Sequence, residues 1–383
     1  MSLEVESLRT TEAMAALREA WEELHRSEPV RSPFLSPDWF RCCLEDAEGS
    51  EPFLIAVREG TRLVGIAPLC RYTLPIRWRN ARAIGFIRCR ETPYADFIVE
   101  GARRAEVVGA IFRHLHSTER SSWDLLDLGP WPHSSPNAEL GRKWLGASGA
   151  KWTESTASLV PVVTMPEGWD AFMESRSYLF RKSRRGVLNR MSRLGNTEVE
   201  CHRSDAGGDV LRTICDVSGR SWKHDEGKAL TSREESMRFF AALTEAAGRR
   251  GSLLVWILRL NGSAIAMEYN LTEDGIVYAL RADYDQAYRQ SSPGAFLEYH
   301  IFQRLFSEGC RAYHAGPGSD AYKLRWTEEL SRNVMVTVFN RGVANQALWL
   351  TETWAIPKLR RLRDRLFPAD RAGTEQGEKE GTS

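Results

Sequence analysis

Residues 276–306 read IVYALRADYDQAYRQSSPGAFLEYHIFQRLF, and the spacing of apolar residues changes once along them. The first nine residues, rich in β-branched and aromatic side chains, read as a strand, residues 285–292 as a turn, and residues 293–307 as a helix. Ser292 suits a helix N-cap and Pro293 the first helical position, where its missing N–H costs nothing. Gly294 and Ala295 keep the first turn bare, so an anion can approach the free N–H groups and the positive end of the helix dipole. Arg289 stands just ahead and adds a charge-assisted contact.

The elements around this segment alternate in the α/β manner. Upstream lie helices over 177–194, 209–222 and 233–248. A hairpin follows, over 253–260 and 264–271, turning on Asn261-Gly262, a dipeptide that favours positive φ at both turn positions. Downstream come strands over 311–315 and 334–339 and a helix over 349–366. The first half runs in a similar order. A helix at 11–27 and a second, short helix that follows the Pro-interrupted stretch 33–39 and runs to about 44 precede a hairpin of 53–58 and 63–69, strands at 83–87 and 95–99, a helix at 105–116, and a strand at 123–128. Gly129-Pro130 is expected to end that last strand. No residue-level repeat links the halves. The expected division is an N-terminal half of 1–160, a C-terminal half of 161–345, a basic amphipathic helix within 346–370, and a disordered tail of 371–383 with little to bury.

At 383 residues the chain is long enough for two domains at about 150 residues each. It is 42% hydrophobic and 27% charged, an ordinary globular composition. Its 52 Lys and Arg against 51 Asp and Glu leave a net charge of +1, so DNA binding is not expected and any anionic partner needs a local patch. The seven cysteines include no CxxC pair, and reduced thiols in a cytoplasmic protein are expected. No apolar run is long enough to span a bilayer. No metal is expected, because HExxH and similar ligand spacings are missing.

Several segments together carry a family resemblance: the basic helix SYLFRKSRRGVLNRMSR (177–193), Ser221-Trp222-Lys223 with Gly227, and the Asn-Gly hairpin with Ile265-Ala266. To these add Tyr284-Asp285 followed by Ser292-Pro293-Gly294, then Gly316 with Tyr322-Lys323-Leu324-Arg325-Trp326. In this order, over about residues 10–340, the chain resembles the GNAT acyltransferase superfamily, more closely the CelD-like acetyltransferases associated with cellulose and exopolysaccharide biosynthesis, relatives of the Fem peptidyltransferases. The resemblance implies a tandem GNAT-like (acyl-CoA N-acyltransferase) fold with mixed sheets flanked by helices. It also implies an acyl-CoA donor, acetyl-CoA among the options, and a sugar, nucleotide-sugar or amino acceptor of an envelope or polysaccharide pathway. GNAT donor loops commonly read Gln/Arg-x-x-Gly-x-Gly/Ala. Counted from Arg289, Ser292 and Gly294 take the glycine places; counted from Gln290, Pro293 and Ala295 do.

On this reading Arg289, Gln290, Ser291, Ser292, Gly294 and Ala295 hold the donor. Lys323 places a point charge on a phosphate or on the oxyanion formed at the acyl carbonyl. Asp283 and Glu268 are candidate bases, Tyr284 or Tyr288 the acid, and a backbone N–H near 280–283 polarises the carbonyl. Tyr94, Asp96, Trp222, Tyr322 and Trp326 are candidate acceptor contacts. Between Arg176 and Arg193 stand seven Lys or Arg and no acid, which calls for an anionic partner. Residues 351–366 pair apolar and basic positions in a way that fits peripheral membrane contact. Two other readings stay open: aminoacyl-tRNA-dependent transfer of the Fem kind, and a non-catalytic scaffold for polysaccharide machinery.

Overall fold

A computed structural model describes residues 2–28, 31–46, 49–166, 168–204 and 208–355. The expected helices 349–366 and tail 371–383 therefore lie largely outside the described residues, which end in a helix over Val343–Leu350 and a wider turn over Thr351–Ala355.

Two sheets, a smaller antiparallel one and a larger mixed one, are flanked by helices. The smaller holds Leu3–Leu8, Leu54–Glu59, Arg62–Ala67 and Ile98–Val99. The larger has eleven strands, and its middle joins the two halves. The expected division at 160/161 falls inside one strand, Lys151–Thr164. Residues 151–161 of that strand pair with Leu330–Phe339, while Val162–Thr164 pair with Ala312–His314 of the second half. Leu330–Phe339, in turn, lies between Lys151–Thr164 and the first-half strand Leu125–Pro132. The last strand among the described residues thus completes the first half. The stretch across the expected boundary is a ladder because its Val160, Val162 and Val163 are buried on the sheet.

A second difference lies at Gly129-Pro130. The strand runs through it to Pro132, and an irregularity in the pairing with Val334 and Val336 absorbs the residue that cannot donate. Leu69–Ile76 and Arg79–Phe86 form a hairpin turned at Arg77, whose φ is +48°, a turn without a glycine to announce it.

Four clusters of buried side chains organise the described residues. The one that matters for the halves packs Trp21, Trp39 and Phe40 of the first half against Phe239, Phe240 and Leu243 of the helix Glu234–Arg250. Trp39 meets Phe239 edge-on at 5.6 Å, the geometry the ring quadrupoles favour. Another cluster buries Val187 and Met191 of the basic helix Tyr178–Ser192 against the helix Pro293–Ser307 and its strands.

In each half one parallel strand pair holds for three residues and then parts. Arg79–Phe86 pairs with Leu125–Pro132 through Ala83, Ile84 and Gly85. Ile276–Tyr284 pairs with Ala312–His314 through Ile276, Val277 and Tyr278.

Candidate active site

The second-half strand Ile276–Tyr284 is irregular where it matters. Tyr269 faces Arg281 and Asn270 faces Ala279, so Leu280 has no partner and forms a bulge. One residue earlier, at Tyr278 and His314, the parallel neighbour leaves. From Ala279 onward, therefore, this strand has an open edge within the sheet. Gly316 fills the gap from the far side with φ +73°, and a Cβ there would stand 2.8 Å from the Ala279 carbonyl oxygen. Only glycine allows this approach.

The turn expected to hold the donor follows. Residues Gln286–Ser291 form a 3-10 turn, and Ser292 adopts a left-handed conformation (φ +60°, ψ +54°) before the helix Pro293–Ser307. Ser292 sits at the N-cap position as expected, yet its side chain does not cap; its hydroxyl oxygen accepts from Arg190 Nη2 at 3.3 Å. The basic helix thus delivers a cation to this helix start, a link the sequence did not reveal. Gly294 leaves the first turn open: a Cβ there would meet only Tyr284, at 3.6 Å. Arg289 and Gln290 are exposed, and Ser291 and Ala295 half-buried. A bare helix start of fifteen residues flanked by Arg190 and Arg289 fits the pyrophosphate of a CoA-type donor. The equivalent helix of the first half, Arg104–His116, is closed by its own ion pairs, Arg103 with Glu59 and Glu106, and Arg104 with Glu28.

The two candidate bases lie on opposite faces of the sheet. Asp283 pairs with Met267 and shares its face, where Lys223 Nζ lies 2.6 Å and Arg281 Nε 2.7 Å from its carboxylate. Fully enclosed between two cations, Asp283 anchors the Ser221-Trp222-Lys223 segment to the strand and is not available as a base. Trp222 itself is exposed. Glu268, opposite Ala282, faces the other side. Tyr313 Oη donates to it at 2.7 Å and Asn270 Nδ2 at 3.0 Å, and burial raises its pKa.

Beside Glu268 stands Glu298, a residue that sequence reasoning missed, whose pKa burial pushes up to about 8, with Glu268 adding to the shift. Its one sequence signal is an acid on the inward side of a helix otherwise lined by Phe296, Leu297, Ile301 and Phe302. Arg184 also departs from expectation. It occupies a buried position in the apolar stripe of the basic helix, over the rings of Phe180 at 5.3 Å and Trp326 at 5.6 Å, and desolvation lowers its pKa. Trp326 is 1% exposed and belongs to the core, its ring tilted against Phe302 with centroids 4.3 Å apart.

Lys323 is buried and its Nζ donates to the Pro317 carbonyl at 2.7 Å and to Gly316 at 3.4 Å. It holds the glycine turn that enters the strand gap, and desolvation lowers its pKa. The Tyr322 ring is half exposed beside it, and Asp320, Glu298, Glu268 and Asp283 all act on its hydroxyl, keeping it protonated together with desolvation, the largest cause.

A cavity of about 380 Å³ opens at the same point from between the halves. Tyr94, Asp96, Tyr278, Ala279, His314 and Gly316 are among its lining residues. Tyr94 Oη donates to Ser32 Oγ at 2.7 Å, and the Tyr278 ring lies tilted at 51° against His314, centroids 5.0 Å apart. Asp96 is taken up by Ser135, Asn137 and the Trp131 indole, and it ties strands together. His314, the second missed residue, is held unprotonated by desolvation, its pKa down to about 4. Among the described residues no His, Cys, Asp and Glu group is arranged to hold a metal, and no helix is long and apolar enough to cross a membrane.

Residues 179–324 match the acetyltransferase (GNAT) domain family. No curated protein matches the chain. Among solved structures, the fold is similar to that of FemX, with a TM-score of 0.60 and 14% identity, covering 90% of this chain and 98% of that one. It is also similar to the C-terminal domain (DUF2156) named for a lysylphosphatidylglycerol synthetase of Agrobacterium fabrum, with a TM-score of 0.53, 14% identity, and 88% and 95% of the two chains covered. A conserved Bacteroides thetaiotaomicron protein of unknown function aligns with a TM-score of 0.52 and 12% identity over 85% and 97%. The chain is a mixed α/β protein with a fold similar to that of FemX, and its second half matches the acetyltransferase (GNAT) domain family over residues 179–324.

Proposed function

We propose that the protein transfers an acyl group from a CoA-type thioester to the amine or hydroxyl of a small sugar or amino acceptor. The observation that carries this reading is the parting of Ile276–Tyr284 from Ala312–His314, with a bare, cation-flanked helix start on one side and the 380 Å³ cavity on the other. Donor phosphates would lie at Gly294 and Ala295 between Arg190 and Arg289. The open strand edge past the Leu280 bulge offers backbone N–H groups to the developing oxyanion. The neutral imidazole of His314 faces the acceptor cavity and takes up the acceptor proton. Tyr284, beside Gly294, is placed to protonate the leaving thiolate. Lys323 acts by holding the Gly316 turn in the gap, a positioning role in place of direct charge stabilisation.

The test is acyl transfer from acetyl-CoA to a panel of amino sugars and amino acids, followed as product mass. His314→Ala is expected to lower turnover about 10²–10⁴-fold. Turnover unchanged by that substitution would remove His314 from the reaction.

A second reading, an aminoacyl-tRNA donor, draws on the acid-free basic helix. None of its seven cations is within 4.0 Å of a carboxylate among the described residues, and Lys182, Arg185 and Arg193 are exposed. Salt-sensitive RNA binding with no response to CoA would favour it. A scaffold role would show neither response.

A further inference from the structure

The seven cysteines are all free, and two of them face each other across a wall of the cavity. Cys43 lies on the helix Pro37–Asp46 and Cys89 in the turn that follows Arg79–Phe86, with their sulfurs 3.4 Å apart. Thr92 Oγ1 sits 3.5 Å from the Cys89 sulfur and 3.7 Å from that of Cys43, and the Cys89 N–H donates to it at 2.9 Å. The Thr92 N–H returns to the Cys89 carbonyl at 3.1 Å, so a closed turn aims the thiol.

We propose that Cys43 and Cys89 form a reversible disulfide. The sulfurs need to close by about 1.4 Å to reach the bonded length of about 2.05 Å, a movement of the size a surface turn makes. Cys43 is fully buried and Cys89 is not, which orders the chemistry. The Cys89 thiolate attacks a low-molecular-weight disulfide, forming a mixed disulfide and releasing one thiol. The Cys43 thiolate then displaces the second thiol. Two protein thiols are oxidised and one external disulfide is reduced to two thiols, with the two protein protons passing to them.

The two cysteines sit on the segments that frame the cavity. Ser32 and Leu35, just ahead of the Cys43 helix, line it, as do Pro93 and Tyr94, just after the Cys89 turn. The two walls already meet through the Tyr94–Ser32 hydrogen bond. A disulfide would fix their spacing and so change acceptor binding; this consequence rests on the acceptor role proposed for the cavity, whereas the cross-link itself does not.

The experiment is intact-mass analysis and peptide mapping of the native full chain after incubation with oxidised glutathione. The expected result is a loss of about 2 Da, a Cys43–Cys89 linked peptide, free thiols falling from seven to five, and reversal by dithiothreitol. Cys43→Ser is expected to stop at a glutathione adduct on Cys89, and Cys89→Ser to give neither product. A wild-type chain that keeps seven thiols, stops at the Cys89 adduct, or links other cysteines would overturn the proposal. Because the readout is mass, it stands apart from failure to find acyl transfer.

Discussion

Asp283 shows how far a residue's chemistry can be read before its neighbours are known. A carboxylate at the end of the central strand reads as a base, but Lys223 and Arg281 close on it from helices and strand alike. Asp283→Asn leaves two cations facing each other without their anion and should cost about 3 kcal/mol or more in urea unfolding. A loss below 1 kcal/mol would mean the pairs are incidental. Glu298 carries the opposite lesson, since its sequence context is a plain amphipathic helix. Its pKa rises from 4.5 to about 8 in the fold, so the native chain holds a proton that the unfolded chain has lost. Between those two values the native state binds more protons, and stability must fall as pH rises. Glu298→Gln removes this contribution, so the variant's unfolding free energy should depend less on pH between 5 and 8; equal slopes would contradict the raised pKa. Glu268 was legible by type and strand position, whereas His314 was not, because the cavity it faces is built from both halves.

Among the elements, the strand–turn–helix of 276–306 was legible because each residue agrees with its local structure: aromatic and β-branched strand, Asp285 capping its turn, Pro293 at the first helical position. What it concealed was the bulge at Leu280 and the left-handed Ser292, both set by neighbouring elements. Gly316→Ala forces a Cβ within 2.8 Å of a carbonyl oxygen at positive φ, and it should displace the Lys323 turn, costing about 1–3 kcal/mol and most of the activity. Full activity would show that the turn does not shape the site. The basic helix was legible as a helix and as an acid-free run. Arg184 could not be told from the other cations of the run, because only the fold shows that it lies over Phe180 and Trp326 instead of reaching solvent.

For the molecule as a whole, the duplicated order of elements was readable, but the exchange of strands between halves was not. Pairing of Leu330–Phe339 with Leu125–Pro132 joins residues about two hundred positions apart, and no local pattern carries that information. The exchange implies that residues 1–165 lack an internal strand of their own sheet and should remain unfolded by circular dichroism when produced alone; a cooperative transition there would contradict it. It also explains why the acceptor cavity, walled by both halves, has no signature in either. The proposed donor site, by contrast, is local to the second half and testable by itself. Thermal unfolding with CoA and acetyl-CoA is the decisive experiment: saturation at about 100 times the dissociation constant adds about 2.7 kcal/mol, a shift of several degrees. The shift should appear in the native chain and vanish in Arg190→Glu with Gly294→Glu, where the space beside Tyr284 admits the new side chain. No shift with any thioester, or one that survives both substitutions, would contradict a donor held at this strand edge and helix start.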